Sequence, residues 1–114
     1  MDRNHSTLIN KRSEARKSAN GRGRLVFEGN TTFADGVILD ASPFGARIRL
    51  SRKTALPSTL YLLNVRNRTV HYATIAWQNG EQAGLHFSES HVLDSELPPA
   101  LDFMRKHWLE CATS

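Results

Sequence analysis

Apolar and polar side chains alternate along the middle of the chain, in short runs separated by turn-forming residues. A period of two is typical of β-strands that have one face in a core and the other in solvent. The turn signals between the runs are Gly29-Asn30, Leu56-Pro57-Ser58, Arg66-Asn67 and Asn79-Gly80. The pattern predicts six strands, at about residues 24–28, 33–41, 45–51, 59–65, 68–77 and 83–87.

Six short strands at close spacing fit most simply into a small antiparallel barrel, because closing the sheet leaves no exposed strand edge. The alternation also assigns faces within each strand. It places Leu25 and Arg24 on opposite faces of the first strand, and it places Ile48 inward and Arg47 outward in the third.

The period changes to that of an α-helix near the C-terminus. Five residues recur at spacings of 4, 3, 4 and 3 and share one helix face: Leu97, Leu101, Met104, Trp108 and Cys111. Ser95 is placed to cap the helix, and Pro98 or Pro99 is tolerated in its first turn. We expect this face to pack on the barrel, with a partner-binding helix as the alternative. We expect Trp77 and Trp108 to serve packing and Cys111 to be buried.

Charge separates the N-terminal end from the rest of the chain. Residues 1–24 hold seven Lys and Arg against two Asp and Glu, a net charge of +5, within a total of +4. A basic segment of this kind attracts phosphate groups. We therefore expect residues 1–23 to be a flexible basic arm, 24–90 the barrel, and 91–114 the C-terminal helix and tail.

Several classes of protein are disfavoured by composition. Hydrophobic residues make up 39% of the chain, without an apolar run of membrane-spanning length, and the N-terminal residues are polar. One cysteine excludes an internal disulfide, and together these features predict a cytoplasmic protein. The five histidines lack metal-ligand spacing, and neither a Gly-x-Ser-x-Gly elbow nor a Walker loop occurs. We expect no enzyme, no metal and no cofactor.

Two arginines of the basic segment, Arg12 and Arg16, are spaced four residues apart. In a helical turn or a curled loop this spacing allows both to point at one ligand. A guanidinium presents a planar fork that suits a phosphate or the O6/N7 edge of guanine, and it can also stack on a purine. Lysine would supply the charge without the fork.

A polar turn between the second and third predicted strands has the form Asp40-x-Ser42-x-x-Gly45. Asp40 offers acceptors for the N1–H and amino group of guanine, and Ser42 offers a small hydroxyl. Gly45 allows the chain to reverse close to a ligand, because a β-carbon there would either clash or forbid a positive φ. A ligand with guanine bases and phosphates would use all of these groups.

In this order, the arginine pair and the Asp-x-Ser-x-x-Gly-Ala turn resemble the PilZ domain family. The resemblance runs from about Lys11 to Phe87, and it includes the segments 73–77 and 83–87, which are similar to the last two strands of the family. It implies a six-stranded barrel with a C-terminal helix. It also implies a non-enzymatic receptor for the bacterial second messenger cyclic di-GMP.

The resemblance implies that Arg12 and Arg16 grip phosphates and guanine, that Asp40 and Ser42 contact a guanine, and that Gly45 makes the tight reversal. Lys11 stands where family members often have a further arginine, a position associated with binding of one or two ligand molecules. Arg47 either adds a contact or is a surface charge.

The expected mechanism is that the arm folds over the ligand and presents a new surface to a protein partner. The output would be motility, surface attachment and biofilm, or exopolysaccharide production. One alternative is a PilZ-type adaptor that works by protein contact alone. Another is a small nucleic-acid-binding barrel, although the strands lack the exposed aromatic platform expected for single strands.

Overall fold

The computed structural model describes residues 17–29 and 31–113, with the backbone alone for residues 17–20. These residues form six strands and a C-terminal helix. The strands are β1 (Lys17–Val26), β2 (Phe33–Ser42), β3 (Gly45–Leu50), β4 (Thr59–Asn64), β5 (Thr69–Asn79) and β6 (Gln82–Val92). A single 3-10 turn (Pro99–Leu101) precedes the helix α1 (Phe103–Thr113). No helix within the described residues is long and apolar enough to cross a membrane.

The six strands close into an antiparallel barrel in the order β1-β2-β3-β6-β5-β4. Two consecutive three-stranded units, β1-β2-β3 and β4-β5-β6, join through the β3–β6 and β1–β4 pairings. The predicted six-stranded antiparallel barrel with one C-terminal helix is confirmed. The barrel forms because each strand has one apolar face, and closing the sheet directs all of these faces into a common core.

Two apolar clusters stabilise the molecule. The first fills the barrel and receives side chains from every strand, including the fully buried Leu25, Ile38, Ile48 and Leu60. The second lies outside the barrel wall, because its strand members are sequence neighbours of interior residues and so point outward. It consists of Val26, Leu63, Val70, Leu93, Leu97, Leu101 and Met104.

The helix therefore flanks the barrel, and the expected packing of its apolar face is confirmed. Met104 and Cys111 are buried, and burial raises the pKa of the Cys111 thiol. The Trp108 indole N–H donates to the Val65 carbonyl at 2.9 Å. Leu97 and Leu101 belong to the cluster outside the barrel wall, although both precede the first residue of α1.

The boundaries at both ends of the barrel differ from the expectation. Strand β1 begins at Lys17, so residues 17–23 belong to the sheet and not to an arm. Gly21 and Gly23 are buried, and a β-carbon on Gly23 would lie 2.9 Å from Ile38 Cγ1. Alternation is invisible where the inward residues have no side chain, so the sequence of residues 17–23 carries no strand pattern.

The start of the helix is also later than predicted, and Ser95 does not cap it. Residues 93–98 form a loop in which the Asp94 carboxylate accepts a hydrogen bond from the Glu96 N–H at 2.9 Å. The 3-10 turn then begins after Pro98, without a side-chain cap. A residue that precedes a proline is disfavoured in the α conformation, and Pro98, which precedes Pro99, has a ψ of 139°, so the helical backbone begins only after it.

Candidate functional site

The turn between β2 and β3 is a two-residue hairpin loop, Pro43-Phe44, closed by the pairing of Ser42 with Gly45. The Ser42 hydroxyl oxygen accepts a hydrogen bond from the Phe44 N–H at 3.2 Å. The Phe44 carbonyl in turn accepts from the Phe87 N–H at 2.8 Å, which ties the loop to β6. The Phe44 side chain points into solvent and is 72% exposed.

Gly45 is required for close approach and not for backbone freedom. A β-carbon at this position would lie 2.2 Å from the Leu85 carbonyl oxygen on the neighbouring strand. Among the described residues the glycines with positive φ are Gly29 and Gly80. Of the two reasons that the sequence offered for this glycine, the clash is the one that applies.

Four residues lie side by side across four strands on the outer wall of the barrel. Asp40 on β2 pairs with Arg47 on β3, Arg47 pairs with Gly84 on β6, and Gly84 pairs with Trp77 on β5. This cross-strand row begins at Asp40, beside the β2–β3 turn, and ends at the indole of Trp77. It brings a carboxylate, a guanidinium and an aromatic face onto one surface.

The Asp40 carboxylate is held by Arg47. Arg47 Nε and Nη2 lie 3.1 and 2.9 Å from the same oxygen, Asp40 Oδ2. The Asp40 side chain is 14% exposed and that of Arg47 is 46% exposed, so the guanidinium is the more accessible member of the pair. Arg47 is thus an ion-pair partner that positions Asp40.

Trp77 lies outside the core, contrary to the packing role expected for it. The residue is 44% exposed, and its indole rests on the backbone of Gly84, where a β-carbon would lie 2.2 Å from Trp77 Nε1. A register shift between Ile75 and Trp77 inserts Ala76 as an extra residue. Such a β-bulge re-aims the side chains that follow it, which turns Trp77 to the outer surface.

An open groove of about 270 Å³ lies between the turn and this row. We call it the β2–β3 groove; its lining includes Ser42, Phe44, Gly45, Arg47, Trp77 and His86. Two aromatic rings, a guanidinium, an imidazole and a hydroxyl therefore face one concave surface. Planar aromatic groups that also carry hydrogen-bonding edges suit such a lining.

The groove contains Ser42, Gly45 and Arg47 from the predicted site, and Asp40 adjoins it through Arg47. Lys11, Arg12 and Arg16 lie outside the described residues. Strand β1 nevertheless starts beside the motif, since Lys17 pairs with Ala41 and Ser18 with Asp40. The chain that follows Arg16 is therefore next to the turn.

Sequence reasoning missed Phe44, Trp77 and His86. A signal for Trp77 existed, because a tight turn at residues 80 and 81 makes Trp77 and Gly84 cross-strand neighbours. A large aromatic ring that covers a strand glycine is a known stabilising pair. No comparable pattern marks His86 or Phe44.

No three His, Cys, Asp or Glu side chains meet as a metal site within the residues that the structure describes. Comparisons of the chain with protein-family models, with curated proteins and with solved structures each find no match.

Proposed function

We propose that this protein is a PilZ-type receptor that binds cyclic di-GMP and signals to a protein partner. One observation carries the proposal: the Asp40–Arg47–Gly84–Trp77 row and the β2–β3 groove lie next to the start of β1. The strand that follows the Arg12-x-x-x-Arg16 pair thus begins beside the groups that would recognise a guanine.

Each part of the ligand has a matching group. A guanine base would stack on the exposed face of Trp77, and its polar edge would meet Asp40 and Arg47. Arg12 and Arg16 would bind the phosphates in bidentate fashion. Ser42 and Gly45 would leave room for the ligand at the turn, and Lys11 would supply a further positive charge.

Binding would bring the segment that carries Arg12 and Arg16 over the ligand, so that segment and ligand together form a new surface. A partner that controls motility, attachment or exopolysaccharide production would read this surface. Such a receptor carries out no chemical reaction on its ligand and needs neither a metal nor a cofactor.

Calorimetric titration with cyclic di-GMP tests the proposal. Arg12→Ala and Arg16→Ala should each weaken binding about tenfold to a hundredfold, since a charge-assisted hydrogen bond contributes roughly 1.5–3 kcal/mol. Lysine at either position should restore little, because it lacks the guanidinium fork. Unchanged affinity in both alanine variants would remove these arginines from the site.

A matched pair on β3 tests the described wall of the site. Arg47→Ala should weaken binding, because it removes a lining group and releases Asp40. Arg49→Ala removes the same charge two residues further along the strand, at a position that pairs with Gln82 and does not line the groove, and should leave affinity unchanged. Equal effects would indicate non-specific electrostatic attraction.

Competing ligands separate the alternatives. The titration is repeated with GTP and with a short oligonucleotide at low and high salt. Selective binding of the cyclic dinucleotide supports the receptor, and binding of none of the three supports a ligand-independent adaptor. Oligonucleotide binding that falls steeply with salt supports a nucleic-acid-binding barrel.

A further inference from the structure

A second groove lies beside α1, far from the β2–β3 groove. It has a volume of about 190 Å³ and is lined by Arg68, Leu93, Arg105, Trp108 and Leu109. We call it the helix groove. It continues into an open depression of about 600 Å³ that reaches Val92 and Asp94. Gly84 and Val92 are eight residues apart on β6, or about 26 Å of extended strand, so the two grooves are separate surfaces.

The helix groove and the adjoining depression each have an exposed apolar side chain in their lining. Leu109 lines the groove and is 55% exposed, and Val92 lines the depression and is 54% exposed. Large exposed aliphatic side chains along a concave surface are typical of an interface with another protein. The floor between them, Leu93, is already buried in the cluster under the helix.

Arg68, which lines both the helix groove and the depression, has an unusual backbone conformation. Its φ of 58° makes it the one residue other than glycine with positive φ in the described part of the chain. Its guanidinium carbon lies 4.9 Å from the centre of the Trp108 ring, and its carbonyl accepts a hydrogen bond from the Leu93 N–H. An arginine backbone in the left-handed region is strained, and strain of this kind is common at functional surfaces.

Charged side chains of both signs lie in the two loops that border the depression, beside Asn67 and Ser95. Among the described residues, neither Arg66 nor Arg68 has an ion-pair partner, and neither Asp94 nor Glu96 has one. Arg105, by contrast, is bound to the Asp102 carboxylate at 2.9 Å and to the Asp94 carbonyl. The face therefore carries both positive and negative side chains that are available to a second molecule.

We propose that the helix groove is the interface of a symmetric dimer. Across a two-fold axis each contact occurs twice, so one face can satisfy itself. Val92 and Leu109 of each copy would cover the apolar groove of the other. Arg66 and Arg68 of one copy would pair with Asp94 and Glu96 of the other.

A second copy fits this face better than a different partner does. An acidic partner segment would pair with Arg66 and Arg68 but would repel Asp94 and Glu96. A basic segment would do the reverse. An occupant that carries both signs of charge satisfies all four, and another copy of the chain, turned about a two-fold axis, presents both.

The first test is the oligomeric state of the full chain without ligand, measured by sedimentation over a range of concentrations. A concentration-dependent dimer is expected. Leu109→Glu should weaken it at least about tenfold, the effect expected when a central apolar contact is lost. Phe44→Ser, which removes an exposed ring at the β2–β3 turn, should leave the dimer intact. A chain that stays monomeric, or a dimer lost in Phe44→Ser but kept in Leu109→Glu, would overturn the proposal.

A charge-reversal pair tests the register. In a dimer of the Arg68→Glu variant, the new glutamate would lie opposite Glu96 of the other copy, and in a dimer of Glu96→Arg the new arginine would lie opposite Arg68. Because like charges repel, each variant should dimerise at least about tenfold more weakly than the parent. Mixing the two variants should restore a heterodimer. Failure of the mixture to associate, while both variants keep the parent's circular dichroism and melting temperature, would overturn the proposed pairing.

Fluorescence supplies an independent readout in the same samples. The chain has two tryptophans, so Trp77→Phe leaves Trp108 under the Arg68 guanidinium as the single reporter. Its emission should change with protein concentration in parallel with the sedimentation data. Because no cyclic di-GMP is present, these outcomes are independent of the function proposed above.

Discussion

Gly45 and Gly84 lie on paired strands, yet a β-carbon would meet different kinds of atom at the two positions. At Gly45 the nearest atom is the Leu85 carbonyl oxygen, which is part of the barrel backbone. At Gly84 it is Nε1 of Trp77, at the edge of an exposed side chain. Backbone in a closed sheet moves little, whereas a surface indole can change rotamer.

The two Gly→Ala variants should therefore differ. Gly45→Ala should lower the free energy of unfolding by about 2–3 kcal/mol, because strands β3 and β6 must separate to admit the methyl group. Gly84→Ala should lower it by less than about 1 kcal/mol while it displaces the indole. Urea unfolding followed by circular dichroism measures the first effect, and Trp77 emission in a Trp108→Phe background measures the second. Equal losses of stability would contradict this distinction.

The sequence predicted Asp40, Ser42 and Gly45 at the site because their spacing is local to one turn. The two tight turns place Asp40 opposite Arg47 and Trp77 opposite Gly84, but alternation could not show that these pairs lie on the outer face of the barrel. The sheet has shifts between Ile38 and Asp40 and between Ile75 and Trp77. One inserted residue reverses the facing of those that follow, and alternation alone does not locate it.

At the scale of secondary structure, Arg24 links β1 to β2 and α1. Its Nε and Nη2 donate to the two oxygens of Asp35 at 2.6 and 3.1 Å, and its Nη1 lies 2.7 Å from Glu110 Oε1 and 3.0 Å from His107 Nδ1. The hydrogen bond from Arg24 lowers the pKa of Glu110. The guanidinium also lies 3.7 Å from the centre of the Phe33 ring. The helix is thus held by a polar contact as well as by its apolar face.

Arg24→Ala should lower the free energy of unfolding by about 2–4 kcal/mol, because it removes a buried side chain and its hydrogen bonds to two carboxylates. Arg24→Lys should recover less than half of the loss, since an ammonium cannot make the bidentate contact with Asp35. Urea denaturation measures both. The control Arg49→Ala, at an exposed position on β3, should stay within about 0.5 kcal/mol of the parent. A fully stable lysine variant would show that charge alone is sufficient.

Alternation placed Arg24 opposite Leu25, and that assignment of faces is correct. It could not show that α1 covers the outer face at this point, because cover by a distant element leaves no local signal. In residues 17–23 the local pattern itself is missing, since Gly21 and Gly23 carry no side chains that could alternate between the two faces. The periodicity of the sequence thus identified the barrel and the helix. It did not identify the strand where the inward residues are glycines, or the burial of an outward residue by a distant helix.

At the scale of the whole molecule, His71 is a polar group within the barrel. It pairs with Leu62, an interior residue, and therefore faces the same side. Its ring stacks on Phe87 with centres 4.0 Å apart and planes 7° apart. Its nitrogens lie 3.1 Å from the Thr69 hydroxyl and 2.7 Å from that of Ser90. Burial lowers the pKa of His71 from 6.5 to about 4.

This depressed pKa makes the stability of the barrel depend on pH. The unfolded chain binds a proton at His71 near pH 6.5, whereas the folded chain does so only near pH 4. Acidification through this window therefore favours unfolding, and the contribution present at neutral pH is lost by about pH 4. The full shift would correspond to roughly 3 kcal/mol, and partial solvent exposure of the ring reduces the expected loss to about 1–2 kcal/mol.

Urea unfolding of the parent and of His71→Gln between pH 4 and pH 8 measures this contribution as the difference between the two curves. The carboxylates titrate in both proteins, so their contribution cancels. The parent should lose more stability than His71→Gln as the pH falls from 6.5 to 4, because glutamine has no proton to bind. His86→Gln, which removes an exposed imidazole, should follow the parent. Parallel curves for the parent and His71→Gln would show that the buried ring is protonated in the folded barrel at little cost.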